Sequence, residues 1–388
     1  MPAAREIFLD NNATTQPLPT VVDAVVAAMS DSFGNPSSSN RAGERSRRLL
    51  HESRDAIAEL IGAPSDSVYF TSGATEANNW ALQRMCMKPK TSLVTCEIEH
   101  SSIKSLCEVL ENQGTEILRL SSDSLGRIDP GQFEEAITSE TTLVSVHWVN
   151  NETGMIQPVE EIAAICRERG VMFHTDASQA VGKLPVNVET LGCDFLSFSA
   201  HKLHGPQGVG GLYIRPGVRL FPLMFGGSQE SGRRPGTENL PGIAGAGVAA
   251  SLRHAGIGDT IARLRQLRDR FETAVLTQIP DIFVNGDPSH RICNTTNLRF
   301  EGVDGQALVA RLDQQGVRCS QSSACTNQRP EASYVLRAMG LSESQAYASV
   351  RFSVSVLNSN EEIDETVRIL AELVPQLRRF SQLTAINH

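Results

Sequence analysis

Two hydrophobic rhythms alternate along the first two-thirds of the chain. Over 44–61 the apolar residues Leu50, Ile57 and Ile61 recur at helical spacing, and Gly62 follows as a stop. Short apolar runs come at 67–71 (SVYFT), 92–96 (SLVTC), 143–149 (LVSVHWV), 171–175 (VMFHT), 195–199 (FLSFS) and 209–214 (VGGLYI), each the signature of a buried strand. Helical patterns, for example over 132–137 and 159–168, separate several of them. Strands bracketed by helices predict an α/β fold with a mostly parallel sheet covered on both faces. In such sheets ligands collect beyond the carboxyl ends of the strands.

After about residue 240 the pattern changes. A small-residue helix (PGIAGAGVAA, 241–250) leads into a long charged helix ending at 278, and strands follow at 297–300 and 349–356. The closing helix starts at Ser359 with Glu362 three residues on, a capping box, and carries the stripe Ile363, Val367, Leu370 and Val374. This part reads as a smaller α+β domain. There is no internal repeat and no low-complexity tract.

Composition narrows the function classes. The 388 residues are 40% hydrophobic and 20% charged, with a net charge of −9, which is ordinary for a soluble globular protein. Basic runs at 45–48 and 263–265 fall on helical patterns and read as solvated faces. Neither nucleic acid nor an anionic membrane is an expected direct partner. MPAAREIFLD lacks the layout of a signal peptide, and no apolar run reaches the roughly 20 residues of a membrane span. A cytoplasmic location is the expectation. The eight cysteines (86, 96, 107, 166, 193, 293, 319, 325) form no C-x-x-C pair and read as free thiols. Cys166, inside EEIAAICRERG, reads as a buried small hydrophobe. Cys319 and Cys325 differ, because they lie in a polar, loop-like stretch, RCSQSSACTNQRPEAS. Without clustered ligand spacing, no metal ligands are assigned, and a non-enzymatic metal or cluster scaffold is a remote reading.

Candidate chemistry gathers at the predicted strand ends. FTSGATEANN (70–79) runs a strand through a glycine turn into a helix. The N–H groups of that helix start, with the hydroxyls of Ser72 and Thr75, make either an anion cradle or an ordinary capped terminus. Asp176 follows VMFHT and is either a turn residue or a carboxylate that keeps a pyridine nitrogen protonated. His100 follows the run at 92–96 and is either a satisfied polar residue or a proton carrier. Lys202 closes the run at 195–199, flanked by His201 and His204, where a buried ammonium needs a partner or a reaction. Phosphate cradle, carboxylate, histidine and lysine together are the parts of a pyridoxal phosphate enzyme, in which a lysine holds the cofactor as a Schiff base.

The sequence closely resembles the cysteine desulfurases of the iron–sulfur-cluster and nitrogen-fixation type, among the fold-type I pyridoxal enzymes related to class V aminotransferases. The matching stretches run nearly end to end: LDNNATT (9–15), GNPSS (34–38), FTSGATEANN (70–79), EIEHSS (97–102), VNNETG (149–154), HTDASQAVGK (174–183), SAHKLHGPQGVGGLY (199–213), GGSQESGRRPGTEN (226–239), CSQSSACT (319–326) and RFSVS (351–355). The resemblance implies a large domain (15–260) with a mostly parallel seven-stranded sheet that binds pyridoxal 5'-phosphate. It also implies a small domain from 1–14 and 261–388 that carries a catalytic-cysteine loop at about 319–333.

The resemblance also assigns roles to residues. Lys202 is implied as the Schiff-base lysine and Asp176 as the partner of the pyridine nitrogen, while His100 stacks on the ring and assists proton transfer. Asn151 and Gln179 are implied contacts to the ring's phenolic oxygen, and Ala74, Thr75, Ser199 and His201 implied phosphate ligands. Thr237 would reach a phosphate in the neighbouring subunit, which implies a homodimer. Arg351 would clamp the carboxylate of L-cysteine, a bidentate task suited to guanidinium, with Asn151 and Asn35 near the substrate. Cys325 occupies the nucleophile position and would carry sulfur as a persulfide, with L-alanine as product. An acceptor protein would follow, serving cluster assembly, tRNA thiolation, a thio-cofactor or DNA phosphorothioation. Selenocysteine lyase and cystine lyase are rivals on the same scaffold, and a class V aminotransferase has no use for a loop thiol. Three positions depart from the family pattern: Asn40, where histidine is common, and Ala200 and Ser322, where glycine is common.

Overall fold

The structure, a computed structural model, describes residues 6–85, 91–321 and 332–386. Among these, a two-residue strand β1 (Ile7–Phe8) is followed by β2 (Val68–Thr71), β3 (Ser92–Cys96), β4 (Glu116–Leu120), β5 (Thr141–Ser145), β6 (Met172–Asp176), β7 (Phe195–Ser199) and β8 (Gly210–Ile214). Four more follow: β9 (Ile282–Val284), β10 (Thr295–Phe300), β11 (Val317–Arg318) and β12 (Ser349–Ser353). Strands β2 to β8 form one seven-stranded sheet in the order β2-β8-β7-β6-β5-β3-β4. All neighbouring pairs are parallel except those that β8 makes with β2 and β7.

The runs predicted at 92–96 and 195–199 coincide with β3 and β7. The run at 143–149 begins earlier, at Thr141, and its ladder ends at Ser145. The chain beyond it keeps contact with β6, since Val146 and Trp148 donate to the carbonyls of His174 and Asp176. That brings residues 146–151 to the rim of the sheet beside Asp176. Strand β4 (EILRL) was not expected. It sits at the sheet edge and buries only Leu120, so it lacks the continuous apolar run that marks a central strand.

Helix ends follow local chemistry. The helix predicted from 44 begins earlier, at Arg41 (Arg41–Ile61), because Asn40 Oδ1 accepts from Gly43 N at 2.9 Å and caps it. One departure from the family pattern is therefore a helix cap. Gly62 ends that helix in the left-handed region (φ 62°), where a side chain is disfavoured. The closing helix, Asn360–Ile386, has the expected capping box: Glu362 N donates to Ser359 Oγ and Ser359 N to Glu362 Oε2, each at 3.2 Å. Its stripe of Ile363, Val367, Leu370 and Val374 is at most 2% exposed.

A three-stranded antiparallel sheet, β12-β10-β9, lies outside the large sheet. The parallel pair β1–β11 and the bridge from Asp10 to Ser353 tie the chain's beginning to this region. The main core is continuous from the large sheet to the small one, running from Leu196 and Phe198 through Phe271 to Phe300 and Phe352. Among the described residues no helix is long and apolar enough to cross a membrane.

His174, in the middle of β6, is fully buried between Ser145 Oγ at 2.8 Å and Ser197 Oγ at 2.9 Å. Burial lowers its pKa to about 4 from 6.5. The folded-state value is depressed, so the stabilisation is present above pH 6.5 and is lost as pH falls towards 4, an effect on the order of 3 kcal/mol. Urea unfolding across this window is expected to show a stability slope in the unaltered chain that is reduced in His174→Asn. Equal slopes would remove this assignment.

Candidate active site

The carboxyl ends of β5, β6 and β7 open into a cavity of about 490 Å³, within the size range of small-molecule sites. Its wall includes Lys202, Asp176, His100, Asn151, Gln179 and Arg351. The expected phosphate ligands Ala74, Thr75, Ser199 and His201 also line it. Asn35 and Thr237 do not. Both are exposed, and Asn35 Oδ1 accepts from Ser37 N in a local turn. Cys325 and Ser322 lie outside the described residues.

Lys202 ends a short 3-10 turn directly after β7, which brings it back over the strand ends. Its Nζ donates to the carbonyls of Asn12, at 2.5 Å, and Ala13, at 2.8 Å. Both acceptors belong to the LDNNATT stretch, so the N-terminal segment forms one wall of the site. Asp176 ends β6 and is 7% exposed. Ser178 N and Oγ donate to its Oδ1, and Asn78 Nδ2 donates to Oδ2 at 2.7 Å. Burial alone would raise its pKa. The charge of His100 and the bonds from Ser178 and Asn78 outweigh that and hold it below the ordinary value. It is a carboxylate near neutral pH.

His100 caps the helix Ser101–Asn112. Ser102 N lies 3.2 Å from its Nδ1 and Ser102 Oγ 2.8 Å. With Nδ1 accepting, the neutral ring carries its proton on Nε2. Burial lowers its pKa, with Lys202 adding to the effect and Asp176 opposing it, so the ring is neutral near pH 7. Asn78 joins these groups, because its amide donates to both Ser102 Oγ and Asp176 Oδ2. No role for Asn78 was read from the sequence. The available signal was its spacing, one helical turn after Ala74 on the same helix face.

The anion cradle differs from expectation in one respect. Ala74 N, at the start of the helix Ala74–Met85, donates to Ser199 Oγ at 2.7 Å, so two expected phosphate ligands satisfy one another. Ser72 N instead bonds Glu76 Oε2, which Arg234 also holds. Strand β8 passes close beneath this turn. A Cβ on Gly210 would stand 2.6 Å from Gly73 Cα, so only glycine allows the helix start to settle there. His201 pairs with Thr14 Oγ1 at 3.0 Å, and burial lowers its pKa to about 4.

Arg351, in β12, is 2% exposed. Its Nη2 meets Asp10 Oδ1 at 2.6 Å, its Nη1 meets the Asn151 carbonyl at 3.0 Å, and its buried Nε has no partner among the described residues. Ser320 exchanges backbone hydrogen bonds with Arg351, while Ala332 and Tyr334 line the cavity. The described chain on both sides of 322–331 therefore borders the site.

The loop that presents His100 has its own anchor. Glu99 Oε1 accepts from His147 N at 2.8 Å and lies 3.1 Å from Cys96 Sγ and 3.2 Å from His147 Nδ1, with all three residues buried. The Tyr334 hydroxyl donates to the Glu99 carbonyl. Thiol, carboxylate and imidazole are metal-ligating types. Here the shared oxygen already takes a backbone N–H, so the cluster works as a hydrogen-bonded clamp.

The model of the class-V aminotransferase family matches residues 7–366. A cysteine desulfurase from a Nostoc species is 42% identical over 377 residues, 97% of this chain and 94% of the relative. The chain belongs to the class-V aminotransferase family, among its cysteine desulfurases. Two solved structures agree with this membership. A NifS-like protein superposes with a TM-score of 0.90 at 31% identity, covering 96% of this chain and all of that one. A structure described as SspA in complex with cysteine gives 0.81 at 34% identity, covering 90% and 99%. The fold is that of the fold-type I pyridoxal phosphate enzymes, and members of the family use that cofactor.

Glu99→Ala is expected to leave the buried His147 N–H without an acceptor and to lower unfolding stability by about 2 kcal/mol. Glu99→Gln, which keeps an oxygen in place, is expected to lose less. Urea denaturation of the two variants measures this, and an unchanged Glu99→Ala would rule out the clamp.

Proposed function

We propose that the protein is a cysteine desulfurase that uses pyridoxal 5'-phosphate to convert L-cysteine to L-alanine and takes the sulfur onto Cys325 as a persulfide. One observation carries the reading: an amine (Lys202), an ionised carboxylate (Asp176) and a guanidinium (Arg351) face one cavity. The donor set fits the cofactor. Lys202 would hold it, Asp176 would sit at its pyridine nitrogen, and the helix start at Ala74 with Thr75, Ser199 and His201 would take the phosphate, exchanging the present bond from Ala74 N to Ser199. Asn151 and Gln179 would meet its phenolic oxygen. When bound, the group supplies an electron sink for negative charge at the substrate Cα.

The chain's own residues do the rest. Arg351 binds the substrate carboxylate, which competes with Asp10 for the guanidinium. Lys202 Nζ takes the proton from the substrate Cα, and His100 assists proton transfer through Nε2. The Cys325 thiolate forms an S–S bond to the substrate sulfur as the Cβ–Sγ bond breaks. The electron pair stays with carbon, and protonation there gives the methyl group of L-alanine. Burial pushes up the thiols of Cys96, Cys166, Cys193, Cys293 and Cys319, leaving them protonated and poor nucleophiles. This supports a nucleophile elsewhere and agrees with the choice of Cys325 over Cys319.

The same reading divides the chain into a large domain (15–260) and a small one (1–14 and 261–388), with the cysteine loop at about 319–333. It also makes the protein a homodimer in which the exposed Thr237 reaches a phosphate in the neighbouring subunit. An acceptor protein takes the persulfide sulfur, and the cytoplasm is its expected location.

Cys325→Ala is expected to take up pyridoxal phosphate and bind cysteine yet form no alanine above background, whereas Lys202→Ala loses the visible absorbance of the lysine-bound cofactor. Alanine quantification and a spectrum test both. Normal turnover by Cys325→Ala would sink the sulfur-acceptor role, and release of pyruvate and ammonia by the unaltered enzyme would point to a lyase. Arg351→Ala is expected to raise KM for cysteine by about 100-fold, the loss of a charged bidentate contact. An unchanged KM would remove it as the carboxylate clamp.

A further inference from the structure

Lys183 closes the HTDASQAVGK stretch and is 5% exposed. Its Nζ donates to Gln179 Oε1 at 2.6 Å. Among the described residues no carboxylate lies within ion-pair distance of it. A buried amine without a counterion is costly, so a fold that keeps one is expected to use it.

Its position indicates the use. An amide presents an acceptor at one end and donors at the other, and only its surroundings decide which end faces which way. Gln179 is constrained at both ends. As an ammonium the lysine can only donate, so it selects Oε1. The Asn12 carbonyl can only accept, and it takes Gln179 Nε2 at 2.9 Å. That same carbonyl takes Lys202 Nζ. The chain of contacts therefore runs from Lys183 Nζ through the Gln179 amide to the Asn12 oxygen, where Lys202 arrives from the other side.

We infer that Lys183 is a positioning residue that locks the Gln179 amide with its NH₂ group facing the Lys202 side of the cavity, where it meets the cofactor's phenolic oxygen. The inference rests on the reading of this cavity as a pyridoxal phosphate site. Lys183 does not line the cavity and acts through Gln179, which does. Without it, the amide loses the donor that distinguishes its two orientations, and an oxygen turned inwards would face both the Asn12 carbonyl and the phenolic oxygen, two acceptors. The electrostatic setting agrees. Burial lowers the Lys183 pKa to about 7, with Lys202, Arg253 and Arg351 pushing the same way and Cys293 opposing. At and below that pH the amine is an ammonium, the state in which it can only donate to Oε1.

The test uses the full-length enzyme with Lys183→Met, Lys183→Gln, Gln179→Leu and the double variant Lys183→Met/Gln179→Leu. Circular dichroism checks that each folds. Two quantities are read: the Kd for pyridoxal phosphate added to apoenzyme, and the midpoint of the pH titration of the bound cofactor's visible absorbance. Lys183→Met is expected to raise Kd about tenfold and to move the midpoint by about half a pH unit or more. Lys183→Gln, which retains an N–H donor without the charge, is expected to recover most of both. In the Gln179→Leu background Lys183→Met is expected to change neither, because the two residues act as one unit. The inference is overturned by a Lys183→Met enzyme matching the unaltered one in both readouts. It is equally overturned if Lys183→Gln behaves like Lys183→Met, or if the Lys183→Met effects persist undiminished in the Gln179→Leu background. An unaltered protein that takes up no pyridoxal phosphate overturns the functional reading itself, and this inference with it.

Discussion

The register between β6 and β7 is the constraint on which the site depends. Pairing of His174 with Phe195 and of Asp176 with Ser197 brings both strands to the same rim. Asp176 ends one strand, and Lys202 follows the other by a single 3-10 turn. A parallel pair shifted by one residue would turn these side chains to the opposite face. The buried bridge Ser145–His174–Ser197 crosses three strands at this level and holds them in place with polar contacts in an otherwise apolar sheet.

Around that rim the protein keeps its charged groups in defined states by supplying specific partners. Asp176 is held ionised by donors from Ser178 and Asn78. His100 is kept neutral by burial, and Ser102 directs its proton to Nε2. Lys202 donates to the two backbone carbonyls of Asn12 and Ala13, which place its amine over the strand ends. Asn78 and Gln179 are both bridging amides: Asn78 Nδ2 joins Ser102 to Asp176, and Gln179 spans Lys183 and the Asn12 carbonyl.

The small sheet supplies what the large one lacks. Arg351 reaches the cavity from β12, outside the main sheet, and the N-terminal segment that accepts from Lys202 also bonds Ser353 on that strand. The cavity is therefore assembled from three distant parts of the chain. Asp10 and the Asn151 carbonyl hold the two Nη groups of Arg351, which fixes the guanidinium at the cavity wall. The backbone exchange between Ser320 and Arg351 ties the start of the cysteine-bearing segment to the same arginine.

The sequence alone was enough to read the α/β class, the central strands and the capped helices, because these follow from short-range periodicity and from caps a few residues apart. Strand β4 escaped that reading, since an edge strand with alternating exposure carries no apolar run. Motif spacing placed Lys202, Asp176, His100 and the glycine turn at strand ends, and the cavity is lined by those three residues and by Ala74 and Thr75 just after the turn. What spacing could not supply was pairing at long separation. That Asn12 would face Lys202 across 190 positions, that Ala74 N would bond Ser199 across 125, and that Asn78 would join Asp176 to the His100 cap were decided only when the strands fell into register. A hydrogen bond is specific in direction and reach, so its partner is set by where tertiary packing brings two atoms, whereas burial and helix propensity are already written in the local order of residues.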